Sequence, residues 1–165
     1  LEVDDRGARA EIEWLIELVS EIRTARAELR VPAAAKLTLW VAEPDATLRA
    51  RLEAWRAAIE RLARLDGIEE GMPETAGGTV QVVVGGRTYV LPLAGHVDVG
   101  EERARLDKEM AKLKSDVAKL DQKLANPQFV AKAPEDVVEE QRERRAARAA
   151  TLARLEAAAA RLDGR

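Results

Sequence analysis

The sequence of 165 residues predicts a mostly helical α+β protein. We expect a small α/β unit made of a strand, a helix and a β-hairpin. An N-terminal helix precedes this unit, and a long C-terminal antiparallel coiled-coil hairpin follows it. Charged residues make up 35% of the chain and aromatic residues 3%, a balance typical of long helices with much exposed surface. Apolar residues recur at spacings of three and four in both terminal segments, and they alternate only in the middle.

The first segment, residues 1–32, predicts one amphipathic helix. Trp14, Leu18 and Ile22 belong to its apolar stripe, and Val31-Pro32 ends it. A single helix cannot bury its own stripe. We therefore expect it to pack either on the middle segment or on a domain that this chain does not contain.

The middle segment, residues 33–97, predicts strand and helix in alternation. KLTLWVA at 36–42 is a β-like run, and Asp45 can cap a following helix. Asp66-Gly67 is expected to stop that helix, because glycine readily takes the left-handed conformation found after helix ends.

A β-hairpin is predicted at residues 79–93, TVQVVVGGRTYVLPL. Two valine-rich arms flank Gly85-Gly86, and glycine pairs adopt the positive φ angles of a tight two-residue turn. Pro92 suits an edge strand, since proline has no N–H to donate to a neighbouring strand.

The last segment, residues 98–165, predicts two long helices. Asp98 resembles the N-cap of the first helix, and Pro134 suits the first turn of the second. A short connection makes the helices antiparallel. Their four-three seam consists of Val99, Arg103, Leu106, Met110, Leu113, Val117, Leu120 and Leu124 on the first helix, with Val138, Gln141, Arg145, Arg148, Leu152, Leu155, Ala159 and Leu162 on the second.

Catalytic chemistry finds little support in the sequence. There is no cysteine and His96 is the only histidine, which excludes Cys-His and Ser-His-Asp arrangements and multi-histidine metal sites. Acidic pairs such as Glu69-Glu70 are interpreted as solvated surface. Gly77-Gly78 lacks the Lys-Ser/Thr that follows in a phosphate-binding loop. We expect no catalytic residue, no metal and no cofactor in this chain.

The absence of cysteine favours a cytoplasmic location over an oxidising compartment. No apolar run approaches the roughly 20 residues that span a bilayer, so we expect no membrane association. The net charge is −3, which gives no overall attraction to nucleic acid.

Basic residues form a stripe on the first helix of the last segment. They lie within about 60° of one another at the helical angle of about 100° per residue, and more follow near the tip. Such a pattern fits contact with a phosphate backbone, because that contact follows charge and shape rather than sequence. An ordinary coiled-coil surface with intrahelical ion pairs is the alternative. The stripe comprises Arg105, Lys108, Lys112, Lys119 and Lys123, and the tip adds Lys132, Arg142, Arg145 and Arg148.

Three stretches in order resemble the C-terminal part of bacterial valyl-tRNA synthetases. They are SEIRTARAELRVPAAAKL at 20–37, YVLPLAGHVDVGEERARLDKEMAKL at 89–113 and KLANPQFVAKAPEDVVEEQRER at 123–144. The resemblance implies that residues 1–32 end an anticodon-binding helical domain. Residues 33–97 would be a linker, and residues 98–165 a coiled-coil arm that contacts the elbow of valine-specific tRNA.

The same resemblance implies a tRNA-binding role for Arg23, Arg26 and Arg30, with surface charge or pairing within a helix bundle as the alternative. It also implies that the parent enzyme uses ATP to join valine to tRNA, whereas the H-I-G-H-like and K-M-S-K-S-like catalytic signatures are missing here. The chain would act with the rest of the synthetase, as a monomer. A coiled-coil protein-interaction module without RNA binding is the alternative.

Phe129, the only phenylalanine, lies in the stretch that joins the two long helices. It can plug the open end of the hairpin, or it can offer a ring on which exposed bases of a tRNA elbow stack. The sequence leaves both roles open.

Overall fold

The computed structural model describes residues 5–74 and 77–163 and confirms a mostly helical α+β fold. In chain order the elements are α1 (Asp5–Glu28), β1 (Leu37–Val41), α2 (Ala46–Ala63), β2 (Leu65–Glu70), β3 (Thr79–Val84), β4 (Arg87–Pro92), α3 (Val99–Ala125), α4 (Pro127–Lys132) and α5 (Glu135–Asp163). They form two compact units. The first unit holds the described residues up to Val99 and from Arg161 onward, and the second holds Gly100–Ala160.

The first unit is built on a four-stranded sheet with the order β2-β1-β4-β3. β1 pairs with β2 in parallel, and β4 pairs antiparallel with both β1 and β3. As predicted, Asp45 caps α2, because its side chain accepts a hydrogen bond from the Leu48 backbone N–H at 2.8 Å. The predicted turn is also confirmed, with φ of 58° at Gly85 and 74° at Gly86.

Strand β2 was not predicted, and the expectation that Asp66-Gly67 stops α2 is wrong. Arg64 ends the helix instead, in the left-handed conformation with φ 55° and ψ 59°. Asp66 and Gly67 continue into β2, which lies beside β1. A helix that ends three residues earlier leaves enough chain for a parallel strand.

The assignment of Pro92 to an edge strand is also wrong. β4 is an inner strand of the sheet, between β1 and β3. Pro92 is its last residue and pairs with Thr79 of β3, whereas the pairing with β1 involves Tyr89 and Val90 only. Because Pro92 is not paired with β1, its lack of an N–H removes no hydrogen bond between β4 and β1.

Helix α1 packs within the first unit, on α2 and β3. Leu18 and Ile22 are completely buried, and the Trp55 indole N–H donates to Glu11 at 2.8 Å. The middle segment is therefore the partner that the apolar stripe needed. Arg161 belongs to the same unit, where it binds carboxylates of α1.

The second unit is a helical hairpin of α3 and α5, with the short helix α4 between them. Ion pairs join the long helices in opposite chain order, Arg145 with Asp121 at 2.8 Å and Arg148 with Asp116 at 3.2 Å, as expected for antiparallel helices. Every predicted seam residue is buried or partly buried. Supercoiling of the helices stays a prediction.

Helix α4 is an addition to the predicted short connection. Asn126 caps it by accepting a hydrogen bond from the Gln128 backbone N–H at 3.0 Å. Pro134 does not lie in the first turn of α5 but just before it, where its carbonyl accepts the bonds from Val137 and Val138.

Candidate nucleic-acid interface

The lysines of the predicted stripe are exposed on α3. Lys108, Lys112 and Lys119 form no ion pair with any residue in the described ranges. Two acidic neighbours of these lysines are bound by arginines, Asp116 by Arg148 of α5 and Glu109 by Arg105 of the stripe itself. The lysine charges along this face are thus less neutralised than the sequence suggested.

Arg105 differs from these lysines, because its guanidinium lies between two carboxylates. It is 2.8 Å from Glu102 and 3.1 Å from Glu109, and only 18% of its side chain is exposed. The hydrogen bond to Glu102 is the main cause that raises the pKa of Arg105. To contact a phosphate as predicted, Arg105 would first have to release one of these two carboxylates.

The predicted arginines of α5 are also paired. Arg142 lies 3.5 Å from Glu139 on the same helix, whereas Arg145 and Arg148 bind aspartates of α3. The hydrogen bond from Arg145 lowers the pKa of Asp121. These two arginines connect the helices of the hairpin, and this arrangement explains how basic residues are accommodated in its seam.

The tip of the hairpin brings Phe129 and Lys123 together. The Lys123 ammonium lies 4.9 Å from the centre of the phenyl ring, a distance typical of a cation–π contact. The ring is partly buried, whereas neighbouring Val130 is 37% exposed and Lys132 is exposed. Apolar and cationic groups therefore share one small surface at the tip.

The three arginines implied near the end of α1 occupy different environments. Arg23 is exposed, and Arg30 is exposed just after the helix, in a left-handed conformation with φ 53°. Arg26 is buried, and its guanidinium donates to the backbone carbonyls of Pro32, Ala35 and Arg64 at 3.1, 2.6 and 3.3 Å. These bonds give Arg26 a structural role, and its contact with tRNA stays a prediction.

Burial shifts the titration of Arg26. Desolvation is the larger cause that lowers its pKa, and the nearby charge of Arg64 adds to the effect. Arg26 and Arg64 are therefore close, although 38 residues separate them in the chain.

Sequence reasoning missed a basic cleft in the first unit. Arg23 and Arg26 of α1 line it together with Arg61 of α2 and Arg64, which ends that helix, in a hollow of about 400 Å³. The only signal in the sequence is that arginines recur near the ends of both helices. Without the packing of α1 on α2, nothing places those ends together.

Other kinds of site find no support in the described part of the chain. It contains no group of three or more His, Cys, Asp and Glu side chains placed to hold a metal ion. None of the described helices combines the length and apolar character needed to cross a membrane. His96 is exposed in the loop before α3.

Comparison with known families identifies the hairpin. Residues 98–163 match the family described as the valyl-tRNA synthetase tRNA-binding arm. The exposed lysines, the cross-hairpin arginines and the tip with Phe129 all lie within the residues that match this family.

Similarity to valyl-tRNA synthetases extends beyond the arm. The chain is 45% identical over 92% of its length to a valine-tRNA ligase of Bradyrhizobium diazoefficiens. It is 44% identical over 98% of its length to the valine-tRNA ligase of Agrobacterium fabrum, and 45% identical over 96% to that of Caulobacter vibrioides. The chain spans only 16 to 17% of the length of these relatives. The comparisons thus support a C-terminal segment of a valyl-tRNA synthetase and do not favour a protein-interaction module.

Proposed function

We propose that this chain is a tRNA-binding C-terminal segment of an ATP-dependent valine-tRNA ligase, whose arm contacts the backbone of the tRNA elbow. It would orient valine-specific tRNA for aminoacylation, whereas the rest of the synthetase would carry out the chemistry. A cytoplasmic location and a monomeric state belong to the same proposal.

The exposed lysines of α3 carry this proposal. Lys108, Lys112 and Lys119 lie on one side of a long helix and have no carboxylate partner among the described residues. An ammonium without a partner can bind a phosphate without first breaking an ion pair. Phosphate contacts of this kind give affinity that does not depend on base sequence and that weakens as salt rises.

The arginines at the tip half of the hairpin play a different part in this mechanism. Arg145 and Arg148 already bind aspartates across the hairpin. Their main effect would be to hold the two helices in place, so that the lysines are presented on a firm surface. We assign primary backbone contact to the lysines, including Lys123 and Lys132 near the tip.

The experiment is a fluorescence titration of the full chain with bulk tRNA at several salt concentrations. The triple variant Lys108→Glu/Lys112→Glu/Lys119→Glu should bind tRNA at least about tenfold more weakly, because three phosphate contacts become repulsive. The slope of log affinity against log salt should flatten by about 2 to 3, since each lost contact removes roughly 0.7 to 0.9 of slope.

A matched pair of single variants provides the control. Lys114 lies on the opposite side of α3 from Lys112, at the spacing of two residues, and is 4.0 Å from Glu156. Lys112→Gln should weaken tRNA binding, whereas Lys114→Gln should not. Equal effects of the two substitutions, or unchanged binding by the triple variant, would refute phosphate contact by this face.

A further inference from the structure

The basic cleft of the first unit holds more positive charge than the C-terminal ends of α1 and α2 can offset. Besides Arg23, Arg26, Arg61 and Arg64, an adjoining hollow of about 380 Å³ shares Arg61 and Arg64 and adds Lys36. Five cationic side chains therefore line two hollows that lie side by side. Arg23, Lys36 and Arg61 are exposed and have no ion-pair partner in the described ranges.

The acidic residues nearest in sequence do not neutralise this cleft. Glu60 lines the second hollow, but it lies 3.5 Å from Arg56. Glu21 and Glu28 bind Arg161 at 2.7 and 2.6 Å, which offsets one of their two charges. Asp66 accepts a hydrogen bond from Thr38 at 2.7 Å and lines neither hollow.

Compensation of helix dipoles explains only a small part of this charge. α1 and α2 both end at the cleft, and each helix C-terminus carries about half a negative charge. Two ends thus offset about one of the five cations. Arg26 and Arg64 donate hydrogen bonds to backbone carbonyls. Arg23, Lys36 and Arg61 make no such bond to a residue in the described ranges.

We propose that this cleft binds phosphate groups of an RNA backbone and gives the chain a second RNA contact, in addition to the arm. Guanidinium groups match phosphate with two parallel hydrogen bonds. Two open hollows in a row suit successive phosphates of a polymer better than a single enclosed anion. The inference rests on the proposed function, because it takes the bound RNA to be the same tRNA.

The decisive variant is Arg23→Gln/Arg61→Gln in the full chain. Both side chains are exposed, so their loss should leave the fold intact, as far-UV circular dichroism would verify. Titration with tRNA at about 0.1 M salt should show affinity lowered by about tenfold or more, with the salt slope reduced by about 1.5.

Two further variants sharpen the test. Arg6→Gln/Arg9→Gln removes the same charge from exposed residues at the other end of α1, and tRNA affinity should change by less than about twofold, as expected for a general effect of net charge alone. Lys36→Gln/Arg61→Gln should reproduce the effect of the decisive variant, because it replaces the loss of Arg23 with the loss of Lys36, another cation of the same cleft.

The outcomes separate this inference from the proposed function. If both cleft variants bind tRNA as tightly as the unaltered chain while the triple arm variant binds weakly, the cleft is not an RNA site and the arm proposal stands. If the cleft variants weaken binding and the triple arm variant does not, the arm proposal fails and the cleft carries the contact. Equal losses in the cleft variants and in Arg6→Gln/Arg9→Gln would also overturn the inference.

Discussion

The Arg26 guanidinium joins its own helix to two other parts of the backbone. It donates to the carbonyl oxygens of Pro32 and Ala35, in the connection before β1, and of Arg64 at the end of α2. Since arginine keeps its charge at all ordinary pH values, these bonds persist over a wide pH range. A single side chain thereby holds α1, α2 and the connection before β1 together.

Replacement of Arg26 with methionine should lower the free energy of unfolding of the first unit by about 2 to 4 kcal/mol. The methionine side chain keeps much of the packing, but the part-buried carbonyls lose donors that were charged. All three tryptophans lie in this unit, at positions 14, 40 and 55. Urea unfolding followed by tryptophan fluorescence therefore measures the change directly.

Arg23→Met is the control, since Arg23 is exposed on the same helix. It should change stability by no more than about 0.5 kcal/mol, as is usual for surface substitutions. Similar losses in both variants would contradict the structural role assigned to the buried guanidinium.

Phe129 is expected to act as a plug rather than as a platform for RNA bases. The ammonium of Lys123 lies 4.9 Å from the ring centre, so the contact already uses one face of the ring. Phe129→Leu should cost about 1 kcal/mol or less, because a leucine fills most of the volume, and tRNA affinity should stay within about twofold. Thermal unfolding and tRNA titration would be measured together. A large loss of affinity in a folded variant would indicate base stacking instead.

Side-chain partners are the part of the candidate site that the sequence predicted least. The basic positions on α3 and α5 follow from helical periodicity, and the structure places the lysines on an exposed face. That Arg148 binds Asp116 depends on how α3 and α5 align, over a separation of 32 residues. Local spacing carries no information on such a pair.

At the scale of elements, the start of β3 lies very close to the start of α3. A Cβ atom on Gly78 would stand 2.5 and 2.7 Å from the two methyl carbons of Val99. The Gly78 carbonyl also accepts a hydrogen bond from the Leu93 N–H at 2.9 Å, so the backbone there has little room to retreat. Only glycine fits this approach without displacement of its neighbours.

Gly78→Ala should therefore destabilise the first unit by about 1 to 3 kcal/mol, the usual cost of overpacking. Gly67→Ala is the matched control, because its Cβ would meet only a carboxylate oxygen of Glu69 at 3.8 Å. That substitution should change stability by less than about 0.5 kcal/mol. Urea unfolding followed by tryptophan fluorescence compares the two variants. Equal stabilities would show that Val99 moves aside without a measurable cost.

The elements that the sequence failed to predict are short and lie where local signals are weak. β2 contains Asp66 and Gly67, two residues more common in turns than in strands. Its place in the sheet comes from pairing with β1 across the length of α2, which is tertiary information. α4 has six residues, too few for a clear periodic pattern. The long helices and the hairpin turn were predicted because their spacing and glycine content act locally.

For the molecule as a whole, the net charge of −3 conceals two basic surfaces. Acidic residues are numerous, but many are bound by arginines, as in the pairs Arg105–Glu102 and Arg145–Asp121. What attracts a polyanion is the set of cations without such partners. Composition alone therefore indicated no RNA affinity, whereas the three resembling sequence stretches and the arrangement of partners favour it.

The cross-hairpin arginines also set the alignment of α3 against α5. A slip of one heptad in one direction would bring Arg145 opposite Lys114, and a slip in the other direction would bring Arg148 opposite Lys123. The first slip would also place Arg148 opposite Glu109, and the second would place Arg145 opposite Gln128. Each slip thus replaces one of the two attractive pairs with a repulsive one, a penalty that an all-leucine seam would not impose. Polar residues in a seam lower stability but discriminate between registers. The hairpin thus favours the observed alignment at some cost in stability, which keeps its exposed lysines in a constant pattern.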